Sequence, residues 1–384
     1  MFKRKLASIQ RIKKLHTLPQ FDNLYLAEVL GWKVLVRKGE FKEGDLCVYF
    51  EIDSVVPEKE VFEFLRKSNF KVKTIKMRGV YSQGLALPVS VIIDSYVGVG
   101  EYDRMMGEGL LKEGDDLTEW LGIKKSEEDC IVQGGDMAGK FPVFLPKTDE
   151  VRIQVCEGVL EKWKGEKFYI TEKVDGTSFT CFYIRNKEAF RIMTEKKDIG
   201  INDEGGKGFF GVCSRNFMMK PPGKENVETV YWRVVEKFDI YEKLRDLCIK
   251  ENRDLCLQGE IVGPKIQKNK YKLREVKVFF FSVYDVSNGE YVGKKEFKRI
   301  IKELELETVP FILEELVLNQ IEDGVSKLEI LQGMAENVKS VVNKEVDVGI
   351  EGVVVRSVEE RKDIEIGRLS FKVINPKFLV KFGE

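Results

Sequence analysis

A lysine followed by Asp-Gly lies within a run of strand-forming residues in "ITEKVDGTSF", where Lys173 precedes Asp175 and Gly176. A lysine amine is a strong nucleophile only without its extra proton, and with a pKa near 10.4 only about one in a thousand is in that form at neutral pH. Neighbouring cations or a metal ion would favour the free amine. A lone lysine of this kind is usually a solvated surface residue, so its interpretation depends on the rest of the chain.

Five further segments place charged or aromatic residues beside apolar runs. In chain order they are "CSRNF" with Arg215, "GEIVGPKIQKNKY" with Glu260, "FSVYDV" with Tyr284, "EGVVVRS" with Glu351 and "LSFKVINPKF" with Lys372. A glutamate at the end of an apolar strand is costly to bury without a partner. Two glutamates in such positions are therefore better explained by a functional site than by chance.

The order and wording of these segments resemble the covalent nucleotidyltransferases, the superfamily of ATP-dependent DNA and RNA ligases and messenger-RNA capping enzymes. The resemblance covers nearly all of residues 142–384. "GEIVGPKIQKNKY" is especially similar to the RNA ligase 2 group, which seals breaks in double-stranded RNA. "GWKVLVRKGEFKEGDLCVYFEIDSVVP" and "TIKMRGVYSQGLALP" are similar to the N-terminal OB domain of one branch of RNA nick-sealing ligases.

The resemblance implies a catalytic group of four residues. Lys173 would attack the α-phosphorus of ATP, giving lysyl-AMP and pyrophosphate. Lys372 would touch the α-phosphate, Arg152 would approach the phosphates, and Glu351 would lie near a magnesium or manganese ion. Hard oxygen ligands from phosphate, water and a few carboxylates suit such an ion.

The resemblance also implies a set of nucleotide contacts. They are Glu172 for the adenine amino group, Arg215 for the ribose or phosphate, Glu260 for the ribose hydroxyls, and Tyr284 and Val354 for the two faces of the base. Phe281 competes with Tyr284 as the stacking residue, since aromatic residues in "KVFFFSVYDV" are mostly expected in the core.

Three positions leave alternatives open. Asp175 holds the turn after Lys173, either through metal-bound water or simply as a turn residue. Lys76 and Arg78 are candidate phosphate contacts of the front domain, because a spacing of two puts both on one strand face; that face could equally contact RNA or only solvent. Several relatives carry a second motif lysine where this chain has Ile374, and Lys377 would lie on the other strand face.

Composition excludes several other classes of function. Lys plus Arg and Asp plus Glu number 64 each, so global charge does not indicate a nucleic-acid partner. The seven scattered cysteines argue against a disulfide frame, and His16, the only histidine, excludes the usual zinc sites and His-based triads. The absence of a long apolar run or a signal-peptide pattern predicts an intracellular protein without a membrane partner.

The elements that must position these residues predict two domains. Residues 1–125 alternate between apolar and polar with turn residues between, which predicts an all-β OB-fold barrel. The polar, glycine-rich residues 126–141 are expected to be a linker. Residues 142–384 mix strands with the helical patterns "GKKEFKRIIKELEL" and "VSKLEILQGMAENVKSVV", which predicts an α+β nucleotidyltransferase domain like that of ligases and capping enzymes.

The sequence therefore predicts an ATP-dependent RNA ligase that seals 3′-OH/5′-phosphate breaks, in particular nicks in duplex RNA. The front position of the β-rich domain, with the chain continuing only to Glu384 after Lys372, disfavours a capping enzyme within this resemblance. Two alternatives are a DNA or mixed-strand ligase and a non-catalytic OB protein that binds nucleic acid. Its protein partners cannot be predicted from the sequence.

Overall fold

The computed structural model describes residues 4–126, 136–186, 201–202, 208–223, 228–322 and 324–382. The N-terminal domain is built on short antiparallel strands. They are β1 (Ala7–Thr17), β2 (Leu24–Val29), β3 (Trp32–Arg37), β4 (Leu46–Phe50), β5 (Ser54–Val55), β6 (Thr74–Met77), β7 (Val80–Gln83), β8 (Leu85–Pro88) and β9 (Lys124–Lys125). Five of them form one sheet in the order β3-β2-β1-β4-β8.

The central strand of this sheet is β1, which the sequence analysis did not identify. It pairs with β2 on one side and β4 on the other. Ala7 and Ile9 are buried in one apolar cluster and Ile12 in another, while Arg11 and Lys13 are exposed. These basic residues interrupt the alternation of apolar and polar residues that is typical of a half-buried strand.

The N-terminal domain also contains helical elements beside its strands. They are a 3-10 helix (Glu60–Ser68), α1 (Val89–Val97) and α2 (Glu101–Gly107). The segment "PVSVI" was expected to continue the strands, but it begins α1. Val89, Ile92 and Ile93 of that helix are buried in the same apolar cluster as Ile9 and Phe50.

The C-terminal domain mixes strands and helices, as predicted. Its strands are β10 (Met137–Lys140), β11 (Val151–Arg152), β12 (Lys167–Lys173), β13 (Thr177–Ile184), β14 (Ile201–Asn202), β15 (Phe209–Cys213), β16 (Phe217–Met219), β17 (Leu255–Val262), β18 (Lys277–Asp285), β19 (Glu290–Tyr291), β20 (Phe311–Val317), β21 (Gly352–Ser357), β22 (Lys362–Asp363), β23 (Gly367–Arg368) and β24 (Ser370–Ile374). Its α-helices are α3 (Gly158–Lys162), α4 (Val230–Lys237), α5 (Ile240–Glu251), α6 (Lys294–Glu303), α7 (Lys327–Asn337) and α8 (Pro376–Phe382). Short 3-10 helices span Ile153–Val155, Gln267–Asn269 and Leu318–Gln320.

Two sheets carry the site. The larger has the order β10-β16-β15-β13-β17-β18-β19, with β14 beside β15, and the smaller has the order β11-β24-β21-β12-β20. Helices α4, α5 and α6 pack on one face of the larger sheet, where Val234, Leu244 and Phe297 share an apolar cluster with the strand residues Leu257 and Phe280. The site residues lie on the opposite face of that sheet.

Two segments differ from the prediction. Residues 127–135 of the expected linker lie outside the described residues, but Met137–Lys140 is a strand that pairs with Phe217–Met219. This half of the segment therefore belongs to the catalytic domain. The C-terminal run "NPKFLVKF" was expected as a strand, but it forms α8, because proline suits the first turn of a helix. Lys377 thus lies on a helix, where it pairs with Glu336 at 3.2 Å.

The two domains are joined by an apolar contact. Ile374 at the end of β24 and Leu379 of α8 belong to the same buried cluster as Trp32 and Val34 of the OB domain. The Gly31 N–H donates to the Gln154 carbonyl at 2.8 Å beside this cluster. Ile374 is only 4% exposed. The position of the missing motif lysine is therefore occupied by a residue that packs against the front domain.

Candidate active site

Lys173 is the last residue of β12, on the face of the small sheet that carries the site. Its strand pairs with β21 at Gly352, and Gly352 in turn pairs with Ile374. A Cβ atom at Gly352 would collide with the Val373 carbonyl, so glycine allows β24 to approach closely. Gly176 does the same for the turn after Lys173, where a Cβ would collide with the Ile261 carbonyl. These two glycines bring the three strand ends together.

The ammonium group of Lys173 lies between the two oxygens of Glu351, with Nζ–Oε distances of 2.6 and 2.5 Å. Glu351 is only 6% exposed. Burial alone would lower the pKa of Lys173, but the negative charges of Glu351 and Glu260 outweigh it, and the pKa is raised. Lys173 is therefore protonated and ion-paired with Glu351 before any ligand is present.

Glu260 lies on the site face of the large sheet, in register with Ser178 and Phe279. Burial raises its pKa to about 8, and the charges of Glu351 and Asp175 add to this against the opposing effect of Lys173. Glu351 pairs with Lys173 and Asp175 pairs with Lys270, while Glu260 adds a third carboxyl group near Lys173. We call Lys173, Asp175, Glu260 and Glu351 the acidic side of the site.

Glu172 points to the other face of β12 and is only 2% exposed. Burial raises its pKa to about 7, although hydrogen bonds from Ser340 and the Val341 N–H offset part of this effect. Its Oε1 has no hydrogen-bond partner among the described residues. A buried acceptor without a donor is costly, so this oxygen suits an amino group of a ligand.

Lys372 and Arg152 form the basic side of the site. They are directly paired on the parallel strands β24 and β11. Burial lowers the pKa of Lys372, and the charges of Arg152 and Lys173 add to this, while Asp149 opposes it from 3.0 Å. Arg152 also reaches the OB domain, where its Nη2 lies 2.5 Å from the Asp53 carboxylate.

Asp175 forms an ion pair with Lys270, a lysine whose side chain is only 3% exposed. The Asp175 N–H donates to the Tyr271 hydroxyl at 2.8 Å. The ammonium of Lys270 also lies 4.6 Å from the centre of the Phe378 ring on α8. These contacts favour the turn-holding role of Asp175 over its alternative as a metal ligand.

The two candidate stacking residues occupy different surroundings. Phe281 packs against a cluster that contains Val174, and the Arg356 guanidinium lies 5.5 Å from its ring centre. Tyr284 lies farther along β18, with its ring 5.2 Å from that of Tyr291. Because Arg356 is two residues from Val354 on β21, Phe281 is the better placed partner for a base that rests on Val354.

Lys76 and Arg78 do not share a strand face as predicted. Strand β6 ends at Met77, and Arg78 lies in the following turn with a φ of +44°. Its Nη1 donates to the Gln20 carbonyl at 2.6 Å, whereas the Lys76 ammonium lies 5.0 Å from the centre of the Tyr81 ring. Both side chains are exposed. The spacing of these two residues therefore no longer supports their proposed phosphate contacts.

The sequence analysis missed residues that hold the basic residues in place. Asp149 lies within 4 Å of Lys372 and Arg215, and Glu150 accepts from Arg356 at 2.8 Å. The motif pattern gave no signal for either acid beyond their closeness to Arg152 in the chain. Lys372 and Arg356 on the site face of the small sheet are thus held by carboxylates from the segment before β11, whereas Arg152 is held by Asp53 of the OB domain.

The residues present suit a hard divalent cation. Burial raises the pKa of Glu260 and the charges of Glu351 and Asp175 raise it further, so a cation beside these carboxyl groups would be favourable. Carboxylate oxygens together with waters and substrate phosphates are the ligands that magnesium prefers. Among the described residues, no cluster of three or more His, Cys, Asp or Glu side chains forms a ready metal cage.

Two family models match the chain. An OB-fold domain model matches residues 6–89, and the RNA ligase model matches residues 166–374, more than half of the chain. The chain therefore belongs to the RNA ligase family. The predicted resemblance to ATP-dependent RNA ligases with an N-terminal OB domain is thereby confirmed, as is the predicted fold class. No curated protein matches the sequence of this chain.

Solved structures of one relative resemble the whole chain. Naegleria gruberi RNA ligase with PPi is 31% identical, with a TM-score of 0.75 and coverage of 99% of both chains. A mutant of that ligase with ATP and Mn is 31% identical, with a TM-score of 0.74 and coverage of 98% of this chain and 99% of that chain. Another mutant, with AMP and Mn, is 30% identical, with a TM-score of 0.75 and the same coverage.

No helix in the described ranges is both long and apolar enough to span a bilayer. The cysteines of the same ranges are all free and buried.

Proposed function

We propose that the protein is an ATP-dependent RNA ligase that seals breaks with 3′-OH and 5′-phosphate ends, in particular nicks in duplex RNA, through a covalent lysyl-AMP intermediate. One observation carries this proposal. Lys173 pairs with the buried Glu351 and lies near Glu260, and Lys372 and Arg152 are paired on strands β24 and β11. Lys173, Glu260, Glu351 and Lys372 fall within the matched RNA ligase region, residues 166–374. The ATP, AMP and manganese in structures of the Naegleria ligase support ATP and a divalent metal as the cofactors of this chain.

The proposed first step requires Lys173 to lose its proton. In the ligand-free site Glu351 holds the ammonium form, so this pairing must weaken when substrate binds. Glu351 and Glu260 would hold a divalent magnesium or manganese ion, which would supply positive charge beside the ammonium of Lys173 and favour its loss of a proton.

The free amine of Lys173 attacks the α-phosphorus of ATP. The N–P bond forms, the P–O bond to pyrophosphate breaks, and the proton on nitrogen goes to solvent. Lys372 and Arg152 lie on the same sheet face as Lys173 and offset the charge that grows on the phosphate oxygens. Positioning and charge therefore supply the catalysis, since the protein contributes no other nucleophile.

AMP then passes to the RNA. An oxygen of the RNA 5′-phosphate attacks the phosphorus of lysyl-AMP, the N–P bond breaks, and Lys173 takes the electron pair and a proton. In the last step the 3′-OH attacks the adenylated 5′ end, which forms the phosphodiester and releases AMP.

A soluble RNA substrate and free, buried cysteines favour an intracellular location for the protein.

The nucleotide contacts follow from the geometry of the site. The unpartnered Oε1 of Glu172 would accept from the adenine amino group, Glu260 would bind the ribose hydroxyls, and Arg215 the ribose or phosphate. Val354, which is 5% exposed, would cover one face of the base. Phe281 replaces Tyr284 as our favoured cover for the other face.

A labelling experiment tests this proposal. Purified protein is mixed with α-labelled ATP and manganese and then run on a denaturing gel, beside Lys173→Ala and a reaction with labelled GTP. We expect covalent label only in the wild type with ATP. Freshly purified protein that takes up no label is weighed by mass spectrometry, since a site that already carries AMP would show the added mass. Absence of both label and added AMP would contradict the proposed activity and favour a non-catalytic OB protein.

A competition experiment tests the substrate. Nicked duplexes with RNA or DNA on both sides of the nick are offered together to the adenylated enzyme. We expect the RNA nick to be sealed faster. Preferential sealing of the DNA nick would overturn the RNA assignment while leaving the adenylation chemistry intact.

A further inference from the structure

A lysine-rich loop joins β17 to β18. Residues 264–274, which we call the basic loop, contain four lysines and one arginine and no acidic residue. Four of these five cations are exposed: Lys265, Lys268, Lys272 and Arg274. Lys268 donates to the Phe382 carbonyl of α8 at 3.4 Å, but none of the four is paired with a carboxylate in the part of the chain that the structure describes. Because acidic and basic residues are equal in number over the whole chain, the loop is a local excess of positive charge.

The two lysines of the nucleotide site, in contrast, each have a carboxylate partner. Lys173 pairs with Glu351, and Lys372 pairs with Asp149. A carboxylate beside a lysine cancels much of the attraction that the lysine has for a further anion. The exposed cations of the basic loop have no such partner, so they can bind phosphates without displacing an acidic side chain.

The backbone of the basic loop has an unusual conformation. Five residues with side chains have positive φ angles of +67°, +41°, +58°, +47° and +49°, in order Lys265, Gln267, Lys268, Asn269 and Lys272. A Cβ atom disfavours this left-handed region. Such strain persists only where the surrounding structure holds it, and it is concentrated at functional sites. The shape of the loop is therefore set by its contacts with the rest of the domain.

Three buried residues of the basic loop make these contacts: Ile266, Lys270 and Tyr271. Lys270 pairs with Asp175, and the Tyr271 hydroxyl accepts from the Asp175 N–H at 2.8 Å. Ile266 packs into the apolar cluster of the larger sheet. The loop is thereby fixed beside the turn that follows Lys173, with its exposed cations next to the acidic side of the site.

We propose that the basic loop binds the backbone phosphates of duplex RNA that flanks the strand break. The proposal rests on the RNA ligase function proposed above and adds an RNA-binding surface next to the acidic side. In the transfer step the RNA end reaches the phosphorus of lysyl-AMP at Lys173, so the flanking duplex passes close to a loop that is fixed beside that lysine. Lysine ammonium groups on flexible stems bind phosphates as point charges, whatever the base sequence.

A double variant of the basic loop, Lys265→Gln with Lys272→Gln, tests the proposal. Glutamine removes the charge and keeps much of the side-chain length. The matched control is Lys295→Gln with Lys302→Gln on α6, which packs on the other face of the larger sheet. Both control lysines are exposed, and neither is paired with a carboxylate among the described residues. The two double variants therefore lose the same charge from different surfaces.

Fluorescence anisotropy measures the binding of nicked duplex RNA at several salt concentrations, without ATP. The nick carries a 5′-OH, so the RNA cannot be adenylated. We expect the loop variant to bind about three- to tenfold more weakly than wild type, and the slope of log affinity against log salt to become shallower by about 2, since each lost phosphate contact removes about 0.9. The control variant should keep the affinity and the slope of wild type. Adenylation with labelled ATP should be unchanged in both variants, because the loop binds RNA rather than ATP.

Several outcomes would overturn the proposal. Unchanged RNA binding by the loop variant, or weaker binding with an unchanged salt slope, would show that the two lysines do not contact phosphates. An equal loss in the control variant would show an effect of overall charge. A loss of adenylation as large as the loss of RNA binding would show that the loop acts on the nucleotide site. If the wild type forms no lysyl-AMP, the proposed function fails, and the anisotropy measurement, which needs no ATP, still decides whether the basic loop binds duplex RNA.

Discussion

Lys173 and Lys372 lie on the same face of the small sheet, with one strand between theirs, yet their surroundings are opposite. Carboxylates surround Lys173, and its pKa is raised. Cations and burial act on Lys372, and its pKa is lowered. Lys173 is held by a carboxylate of its own side, whereas Lys372 and Arg152 are held by Asp149 and Asp53, which come from other segments. The acidic side would therefore suit a cation and the basic side an anion.

A metal nucleotide would supply both charges at once. Glu351 and Glu260 would hold the divalent ion, and Lys372 and Arg152 would face the phosphates. This division explains why neither lysine can replace the other, although both are partly buried. The predictions below test how sharply the two sides differ.

Removal of the acidic-side lysine should have the largest effect. Lys173→Ala deletes the nucleophile, so lysyl-AMP formation should fall by at least about a thousandfold, the scale of removing such a group. Single-turnover labelling with ATP measures it. Lys164→Ala should leave the rate unchanged. Substantial adenylation of Lys173→Ala would show that another residue is the nucleophile.

Removal of the basic-side lysine should slow the chemistry without removing it. Lys372→Ala leaves Lys173 in place but deletes a cation that stabilises phosphate charge, which should cost about a hundredfold in adenylation rate. Lys372→Arg keeps the charge and should recover part of the rate. A variant with an unchanged rate but a higher KM for ATP would place Lys372 in binding alone.

The stability of the apolar contact between the two domains, at Ile374, should depend on the size of the side chain rather than on its charge. Ile374→Ala should lower the free energy of unfolding by about 2–4 kcal/mol, and Ile374→Val by about 0.5–1.5 kcal/mol. Ile374→Lys should destabilise the protein as well, because the lysine would enter an apolar contact. Urea denaturation measures all three. A stable Ile374→Lys variant with faster adenylation would show that the position still accepts the second motif lysine.

The acidic side should make the ligand-free protein sensitive to pH. The pKa of Glu260 is about 8 in the folded protein against an ordinary value of 4.5, so the folded state retains a proton that the unfolded state has released. The free energy of unfolding should therefore fall as pH rises between about 4.5 and 8, by about 1–3 kcal/mol. Glu260→Gln should remove much of this slope.

Urea denaturation at pH 5.5 and pH 8 checks this expectation. Glu315→Gln is the matched control, because Glu315 on β20 is exposed. Added manganese should restore stability at pH 8 in the wild type more than in Glu260→Gln. Parallel pH slopes for wild type and Glu260→Gln would show that the negative charge of the acidic side is already compensated.

The smallest expected effect distinguishes the stacking residues. Phe281→Leu removes the ring that lies closer to Val354, and its KM for ATP should rise about two- to tenfold, the scale of an aromatic contact. Tyr284→Phe keeps a ring against Tyr291 and should stay within about twofold. Steady-state ligation at varied ATP concentration compares them. The reverse ranking would restore Tyr284 as the stacking residue.

The motif residues could be predicted from the sequence because their chemistry limits both their type and their order. Glu351, Glu260 and Lys372 converge on Lys173 although they lie far apart in the chain. Their partners were not accessible, since Asp149 and Lys270 act through contacts that only the tertiary fold creates. Arg78 was misplaced because the end of β6 depends on a turn rather than on side-chain alternation.

The fold was predictable to a similar depth. Strands with alternating or β-branched residues were identified, but β1 was hidden by its interspersed basic residues, and α4 and α5 were not identified at all. Helix α4 contains Tyr231, Trp232 and Val234, bulky residues that are all buried and equally common in strands. It is only 8 residues long, so its helical period repeats only about twice and is a weak guide.

The apolar contact between the two domains, around Trp32, has a consequence for synthesis of the protein. Trp32 leaves the ribosome early, but Ile374 and Leu379, which share its cluster, belong to the last strand and the last described helix. Because chains grow by about 5–20 residues each second, the apolar surface around Trp32 stays uncovered for tens of seconds. During that interval the nascent OB domain exposes an apolar surface to chaperones and to other nascent chains. This surface is covered only when the final residues of the chain pack against it.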